Sequence, residues 1–151
     1  MSVNQISVFI ENRPGSLAAL AGVLRDNNID IRALSIADVE NYGILRIIVD
    51  NVYQAGAVLK KAEYVFKITP VLAVPLKDQA GSLAEALEAL GENGINVDYL
   101  YAFVGRQKNR AYVIFRVADG DIERATDALS AKGFAPVSQE DIKRDNAAAN
   151  C

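Results

Sequence analysis

Hydrophobic positions along the first half of the chain change their spacing from one segment to the next. Ile6, Val8 and Ile10 alternate with Ser7 and Phe9, and this period of two predicts a β-strand. Leucine and alanine residues at 17, 20, 21 and 24 then recur at the spacing of one helix face, which predicts a helix. The remaining elements predicted for this half are strands over residues 31–37, 44–49 and 64–69 and a helix over residues 52–62.

The same pattern returns in the second half at an offset of 66 residues. Residues 7–18 align with residues 73–84, and in both segments the best-matched part is a turn that opens a helix. A repeat of this length is too long for a solenoid unit and indicates two copies of a small domain. The elements predicted for the second copy are strands over residues 72–76, 97–104, 110–117 and 135–138 and helices over residues 83–90 and 121–132.

Each copy therefore has the order β-α-β-β-α-β. This order predicts an α+β protein with two ferredoxin-like βαββαβ domains in tandem, each an antiparallel sheet with both helices on one face. We place the domains at residues 1–69 and 70–139, joined at Pro70 with almost no linker. Residues 140–151 are polar and rich in alanine and asparagine, so we predict a disordered tail.

Composition and charge narrow the possible functions. The net charge of −3, with acids and bases interspersed, argues against a nucleic-acid-binding surface. No apolar run approaches the ~20 residues that span a bilayer, and the N-terminus lacks a signal-peptide pattern. Histidine is absent and Cys151 is the only cysteine, so we expect no metal site, no cofactor and no nucleophile–histidine pair. The lone cysteine fits a reducing compartment, and we predict a cytoplasmic protein.

The turn between the first strand and the first helix carries the candidate chemistry. Pro14 fixes φ near the helix entry, and Gly15 lets a ligand approach the backbone. The first amides of the helix have no intrahelical partner, and with the positive end of the helix dipole they suit a carboxylate. Asn12 adds a donor and an acceptor. The same residues also fit an ordinary turn and helix start, and that alternative stays open at this point.

Residues 6–31 resemble the ACT domain, a small-molecule sensing module of amino-acid metabolism. Within them, residues 11–17 and 28–31 are similar to the serine-binding regulatory domain of phosphoglycerate dehydrogenases and to the small subunit of acetolactate synthase. The resemblance covers both copies and nearly the whole chain outside the tail. It implies a regulatory protein without catalysis of its own, which binds a free amino acid or a similar small carboxylate between ACT domains and forms a homodimer.

The resemblance also implies which residues bind this ligand. The loop residues and the helix amides would hold the carboxylate, and a polar residue at the start of the second strand would complete the site across a domain interface. In the first copy the ligand-binding residues are Asn12, Arg13, Pro14, Gly15, Ser16, Leu17, Asp30 and Ile31. In the second copy they are Asp78, Gln79, Gly81, Ser82, Leu83, Asn96 and Val97.

The chain departs from the family pattern at two places. Serine-binding members have a histidine at the position of Ile10, so the resemblance does not assign serine as the ligand. In the second copy Asp78 replaces Asn12, and a carboxylate there would repel that of a ligand. We expect the second copy to bind weakly, to bind differently or to form a wall of the first copy's site. In one such arrangement Asn12 and Asn96 would face one pocket, and Asp78 and Asp30 another.

Three other functions remain open. The protein could be a regulatory subunit of a separate biosynthetic enzyme such as acetolactate synthase, which requires a stable partner. It could be an enzyme that uses paired carboxylates, Asp30 with Asp98 or with Asp78. It could also be a degenerate repeat retained for dimerisation.

Two further features have an ordinary interpretation and a functional one. The aromatic residues of the second hairpin could pack the sheet, form an oligomer interface or line a pocket; they are Tyr99, Tyr101, Phe103 and Tyr112. We expect Arg106, Lys108 and Arg110 to form a solvated basic turn, with phosphate contact as the alternative.

Overall fold

The structure is a computed structural model that describes residues 1–104 and 110–147. The chain divides into two compact units, the first comprising Asn4–Thr69 and the second comprising Met1–Val3 and the chain from Pro70 onward. Across the described ranges there are six β-strands and five α-helices, and every strand pairing given below is antiparallel, which confirms the predicted α+β class. Arg106 and Lys108 of the predicted basic turn lie outside the described residues.

The first unit has the predicted order of strands and helices. Its elements are β1 (Val3–Glu11), α1 (Ser16–Asp26), β2 (Ile31–Val39), β3 (Tyr42–Val49), α2 (Val52–Lys61) and the first part of β4 (Val65–Lys77). Strand β3 pairs on one side with β1, where Val8 faces Leu45, and on the other with β2, where Ile36 faces the same Leu45. The alternating side chains Ile6, Val8 and Ile10 pack in one core with residues of α1 and α2, as their period of two predicts.

The second unit repeats this arrangement around the rest of β4. Its further elements are α3 (Ser82–Glu92), β5 (Tyr99–Val104), β6 (Arg110–Arg116), α4 (Ile122–Ala131) and α5 (Gln139–Ala147). Strand β6 pairs with β4, where Val74 faces Val113, and with β5, where Ala102 faces the same Val113. Leu72, Val74 and Leu76 form a core with α3 and α4 and occupy the positions of Ile6, Val8 and Ile10.

Three predicted strands differ in the structure. Residues 64–69 and 72–76 form one continuous strand, β4, because proline fits extended backbone and its missing N–H does not end the strand. The predicted strand over residues 135–138 is reduced to one bridge, in which the amide of Val137 donates to the carbonyl of Ala73 at 2.8 Å. The preceding Pro136 has no N–H with which to extend that ladder.

The prediction of a disordered tail from residue 140 is wrong for residues 140–147, which belong to α5 (Gln139–Ala147). A capping box begins this helix: the Asp141 amide donates to Ser138 Oγ at 3.2 Å, and the Ser138 amide donates to Asp141 Oδ2 at 2.8 Å. The Ser138 hydroxyl also donates to Asp141 Oδ2 at 2.7 Å, and this bond most of all, followed by the bond from the Ser138 amide, lowers the pKa of the Asp141 carboxyl. Ile142 is only 4% exposed and therefore anchors the helix by burial.

Candidate functional site

The loop that leads from β1 into α1 presents unbonded backbone amides. Gly15 precedes α1 with φ of 86°, a left-handed conformation that strains any residue with a Cβ, and no side chain caps the helix. The Ser16 amide is occupied, since it donates to the Arg13 carbonyl at 3.3 Å. Within the described ranges the amides of Gly15, Leu17 and Ala18 have no hydrogen-bond partner. Three exposed donors therefore lie at the positive end of the helix dipole.

Asn12 ties this loop to the turn between β2 and β3. Its amide donates to the Asn41 carbonyl at 3.0 Å, and its Nδ2 donates to the Glu40 carbonyl at 3.2 Å. The side chain keeps its Oδ1 acceptor and one Nδ2 hydrogen for a ligand. Arg13 instead forms an exposed ion pair with Glu11 at 2.9 Å, so its charge is partly neutralised beside the loop. Pro14 is exposed at the turn.

A hollow of about 60 Å³ lies beside this loop, on the side of β2 and β3. Four predicted site residues line it: Asn12, Arg13, Ser16 and Leu17. Ile36 of β2, 47% exposed, also lines it and contributes apolar surface, and Asp38 contributes a carboxylate. Sequence reasoning missed Ile36 and Asp38, because only the pairing of β2 with β3 brings them to the loop.

The corresponding loop of the second unit has the same backbone geometry. Gly81 precedes α3 with φ of 94°, and the Ser82 amide donates to the Gln79 carbonyl at 3.4 Å. Asp78 and Leu83 are exposed, whereas Ser82 is buried at 6% exposure. Gln79 and Ser82 line a hollow of about 370 Å³ next to residues 133–135. This hollow could not be predicted from the sequence, since no chemical motif marks residues 133–135.

The predicted residues at the start of the second strands lie far from the loops of their own units. Helix α1, of 11 residues and about 16 Å, separates Gly15 from Asp30. Asp30 Oδ2 accepts from the Arg32 guanidinium at 3.1 Å, and the Asp30 amide donates to Asp50 Oδ1. A ligand that contacts Asn12 is therefore too far from Asp30 of the same unit to contact it, and the ammonium group of a ligand at Asp30 would compete with Arg32.

Asn96 lies at the equivalent place after α3. Its Nδ2 donates to Asp98 Oδ1 at 3.1 Å, which orients the side chain. Ile31 and Val97, which follow these polar residues, are half-buried. Both side chains pack against the core of their own unit, so their main role is to stabilise its fold.

The hairpin aromatics pack within the second unit. Phe103 and Tyr112 face each other across β5 and β6 with their rings stacked at 5.0 Å. Tyr101 and Tyr112 are only 8% and 7% exposed, which favours the sheet-packing interpretation over a wall open to a ligand. Of the described residues, no group of three or more histidine, cysteine or acidic side chains could hold a metal ion. No helix in the described ranges has the length and hydropathy needed to cross a membrane.

A comparison of the sequence with protein families decides the classification. The profile of the ACT domain pair matches residues 1–144. The chain belongs to this family. The assignment confirms the resemblance found in residues 11–17 and 28–31, and membership of the ACT domain pair family supports a regulatory role. No curated protein matches the chain by sequence.

Solved structures agree with the assignment. A protein from Bacteroides thetaiotaomicron is 31% identical with a TM-score of 0.86, and the alignment covers 95% of this chain and 96% of that one. The regulatory subunit of aspartate kinase from Thermus thermophilus is 18% identical with a TM-score of 0.61, covering 85% of this chain and 91% of that one. Aspartate kinase from Synechocystis is 19% identical with a TM-score of 0.58, covering 91% of this chain and 27% of that one. The last two likenesses show the fold alone.

Proposed function

We propose that this ACT domain pair protein is a non-catalytic regulatory protein that binds a free amino acid, or a similar small carboxylate, between ACT units. One observation carries the proposal: the amides of Gly15, Leu17 and Ala18 lie in exposed residues at the start of α1 and have no hydrogen-bond partner among residues 1–104 and 110–147. Exposed donors at a helix N-terminus favour an anion, and the left-handed Gly15 keeps the approach to them free of a side chain.

The side chains around the loop favour a ligand that carries both a negative and a positive charge. Asn12 keeps one Nδ2 hydrogen that can donate to the carboxylate, and Asp38 adds negative charge for an ammonium group at the edge of the 60 Å³ hollow. Because Arg13 is paired with Glu11, the backbone rather than a free cation supplies the positive potential for the carboxylate. Asp30 or Asn96 of another unit would complete the contact with the ammonium group.

Binding between ACT units would regulate a partner protein, because the ligand would stabilise one arrangement of the units more than another. A ligand shifts a conformational equilibrium only by its difference in affinity for the two states. We propose that this equilibrium controls a separate partner, that the active form is a homodimer and that the protein acts in the cytoplasm.

The direct test is a thermal-shift screen with the twenty amino acids, followed by calorimetry on those that raise the melting temperature. A ligand at ~100 times its Kd should add roughly 2.7 kcal/mol to the free energy of unfolding. The variant Asn12→Asp places a carboxylate at the loop and should weaken binding at least about tenfold.

The matched control is Asn51→Asp, which adds the same charge in the same unit. Asn51 caps α2 by accepting from the Gln54 amide at 3.1 Å, and aspartate caps equally well, so its affinity for the ligand should stay unchanged. Binding that is equal in both variants, or no stabilisation by any amino acid at millimolar concentration, contradicts the proposal.

A second candidate, a regulatory subunit of a separate amino-acid biosynthetic enzyme such as acetolactate synthase, is favoured by an exposed apolar row on β2. Leu34 and Ile36, two residues apart and therefore on one face of this strand, are 58% and 47% exposed. Rows of this kind often mark protein contacts. The test is size-exclusion chromatography of the chain with and without the candidate large subunit: co-elution supports this candidate, and elution of the chain by itself at micromolar concentration argues against it.

A further inference from the structure

The first unit has an open groove between the C-terminal halves of its two helices. This α1–α2 groove measures about 290 Å³ and is lined by Val23, Asn27, Val58, Lys61 and Ala62. Asn27 is tied into the unit, since its Nδ2 donates to the Val23 carbonyl at 2.8 Å and its own carbonyl accepts from Gln54 Nε2 at 3.0 Å. The groove therefore offers valine and alanine surface with the cation of Lys61 beside it.

The equivalent helices of the second unit differ at this place. Ala89 and Ala128, both buried, occupy the positions of the two valines, which are only half-buried. Lys132 pairs with Glu92 at 3.2 Å and joins the ends of α3 and α4. The distance between packed helices depends on the side chains at the contact, so alanine lets α3 and α4 approach closely. The valines keep α1 and α2 further apart, which leaves the groove open in the first unit.

The helices of the two units carry opposite unpaired charges. Lys60 and Lys61 end α2, and across residues 1–104 and 110–147 neither has an ion-pair partner. In the second unit the cations Arg124 and Lys132 are both paired. Four exposed carboxylates of α3 and α4 have no ion-pair partner in the described part of the chain, and we call them the acidic face: Glu85, Glu88, Glu123 and Asp127.

Helix α3 also carries an apolar side chain that suits such a groove. Leu83 is 39% exposed and lies on the same side of α3 as the half-buried Leu87, one turn later, with Glu88 next to it. Exposed ion pairs alone stabilise a contact very little. Burial of a leucine in a valine-lined groove supplies affinity, and the charges beside it select the partner and its orientation.

We infer that the α1–α2 groove of the first unit binds helix α3 of a second copy of this chain. Leu83 of that copy enters the groove, and Glu88 and the rest of its acidic face lie against Lys60 and Lys61. A second copy is the occupant because one chain carries both complementary surfaces. The inference rests on the proposed function only for the homodimer, to which it assigns a contact surface, and it requires neither the α1 loop nor the ligand.

The test is analytical ultracentrifugation of the full chain over a range of micromolar concentrations, without ligand. The chain should self-associate at low salt, and an increase to high salt should weaken this association several-fold, because salt screens exposed charges. Leu83→Ala should weaken it about tenfold, because less apolar surface is then buried in the groove.

Charge reversal identifies the two surfaces. Lys61→Glu and Glu88→Lys should each weaken self-association at least about tenfold, because like charges then face each other. Mixed in equal amounts, the two variants should associate with each other about as tightly as the wild type, since opposite charges meet again. The matched control is Lys67→Glu, which makes the same charge change in the same unit. Lys67 follows the core residue Phe66 on β4, so it points away from the helices and the control should associate normally.

Three results overturn the inference. A chain that stays monomeric at low salt contradicts both this contact and the homodimer of the proposed function. Self-association that Lys61→Glu and Glu88→Lys leave unchanged contradicts the contact alone, and so does a mixture of the two variants that fails to associate. Failure of amino-acid binding would instead appear in the thermal-shift screen and would leave these results unchanged.

Discussion

The loops at residues 11–17 and 77–83 share one backbone and carry different side chains. Both place a left-handed glycine before a helix, at φ of 86° and 94°, and both bond the next amide back to the residue two before that glycine. Yet Asn12 corresponds to Asp78, and Glu11 corresponds to Lys77. The repeat has therefore preserved the amides that can hold an anion while the charges around them have diverged.

This difference separates the residues that determine the fold of a unit from the residues that select its ligand. The glycine, the buried strand and the helix stripe are common to both units and determine the fold. The residues at 12, 19, 78 and 85 face solvent, contribute little to either core and are free to change. We therefore expect equivalent substitutions to have equal effects on stability and unequal effects on binding.

The largest expected effect comes from the cores. Leu24→Ala and Leu90→Ala remove equivalent leucines that are 1% and 0% exposed, and each should lower the free energy of unfolding by about 2–5 kcal/mol. Equilibrium urea denaturation measures this loss. An effect in one variant only would show that the two cores are not equivalent, which breaks the comparison.

The exchange of loop side chains should have the next largest effect. Asp78→Asn with Ala80→Pro installs the first unit's residues in the second loop and removes a carboxylate that repels an anion. We expect binding of the amino-acid ligand at the amides of Leu83 and Ala84 to strengthen about tenfold, measured by calorimetry and amide NMR. If the exchange leaves affinity unchanged, the loop side chains do not account for the difference between the units.

The two glycines should respond alike. Gly15→Ala and Gly81→Ala force alanine into a left-handed backbone, but no atom lies within 4 Å of the added Cβ. Each variant should therefore lose about 1–2 kcal/mol from backbone strain alone. Thermal unfolding without ligand checks this. A loss at one glycine that is several times the loss at the other would contradict the shared geometry.

The smallest effect concerns α5, for which the first unit has no described counterpart. Ser138→Ala removes the cap and should cost about 1 kcal/mol of helix stability, seen as reduced helicity by circular dichroism.

The same cap has a pH dependence. Because folding lowers the pKa of Asp141, its contribution is fully present above the ordinary pKa of about 3.9 and is lost as pH falls through the lowered pKa. The helicity difference between the wild type and Asp141→Asn should shrink over that range. A difference that stays constant to the lowest pH contradicts this account.

The repeat and its periodicities were sufficient to predict most of the fold. These periodicities depend on local spacing, which can be read directly from the sequence. Examples are the helix stripe at Leu20 and Leu24 and the strand alternation at Ile6, Val8 and Ile10. The continuous strand through Pro70 was missed because proline usually interrupts a strand pattern. Helix α5 was missed because the polar composition of residues 140–151 was given more weight than the capping-box residues Ser138 and Asp141.

The candidate sites were only partly predictable. The Pro-Gly turn indicated the free amides of α1, since the start of a helix always leaves such donors. Ile36 and Asp38 could not be found in this way, because they are distant from the loop in the sequence and only the register of the strands brings them next to it. Phe134 reaches the second hollow from the end of α4, again through tertiary structure.

The central claim is that the α1 amides hold a ligand's carboxylate, and a crystal structure grown with millimolar amino acids tests it most directly. We predict electron density for an amino acid with a carboxylate oxygen about 2.7–3.2 Å from the amide nitrogens of Leu17 and Ala18. An amino acid bound elsewhere with these amides facing only water, or no bound amino acid at all, would contradict the account.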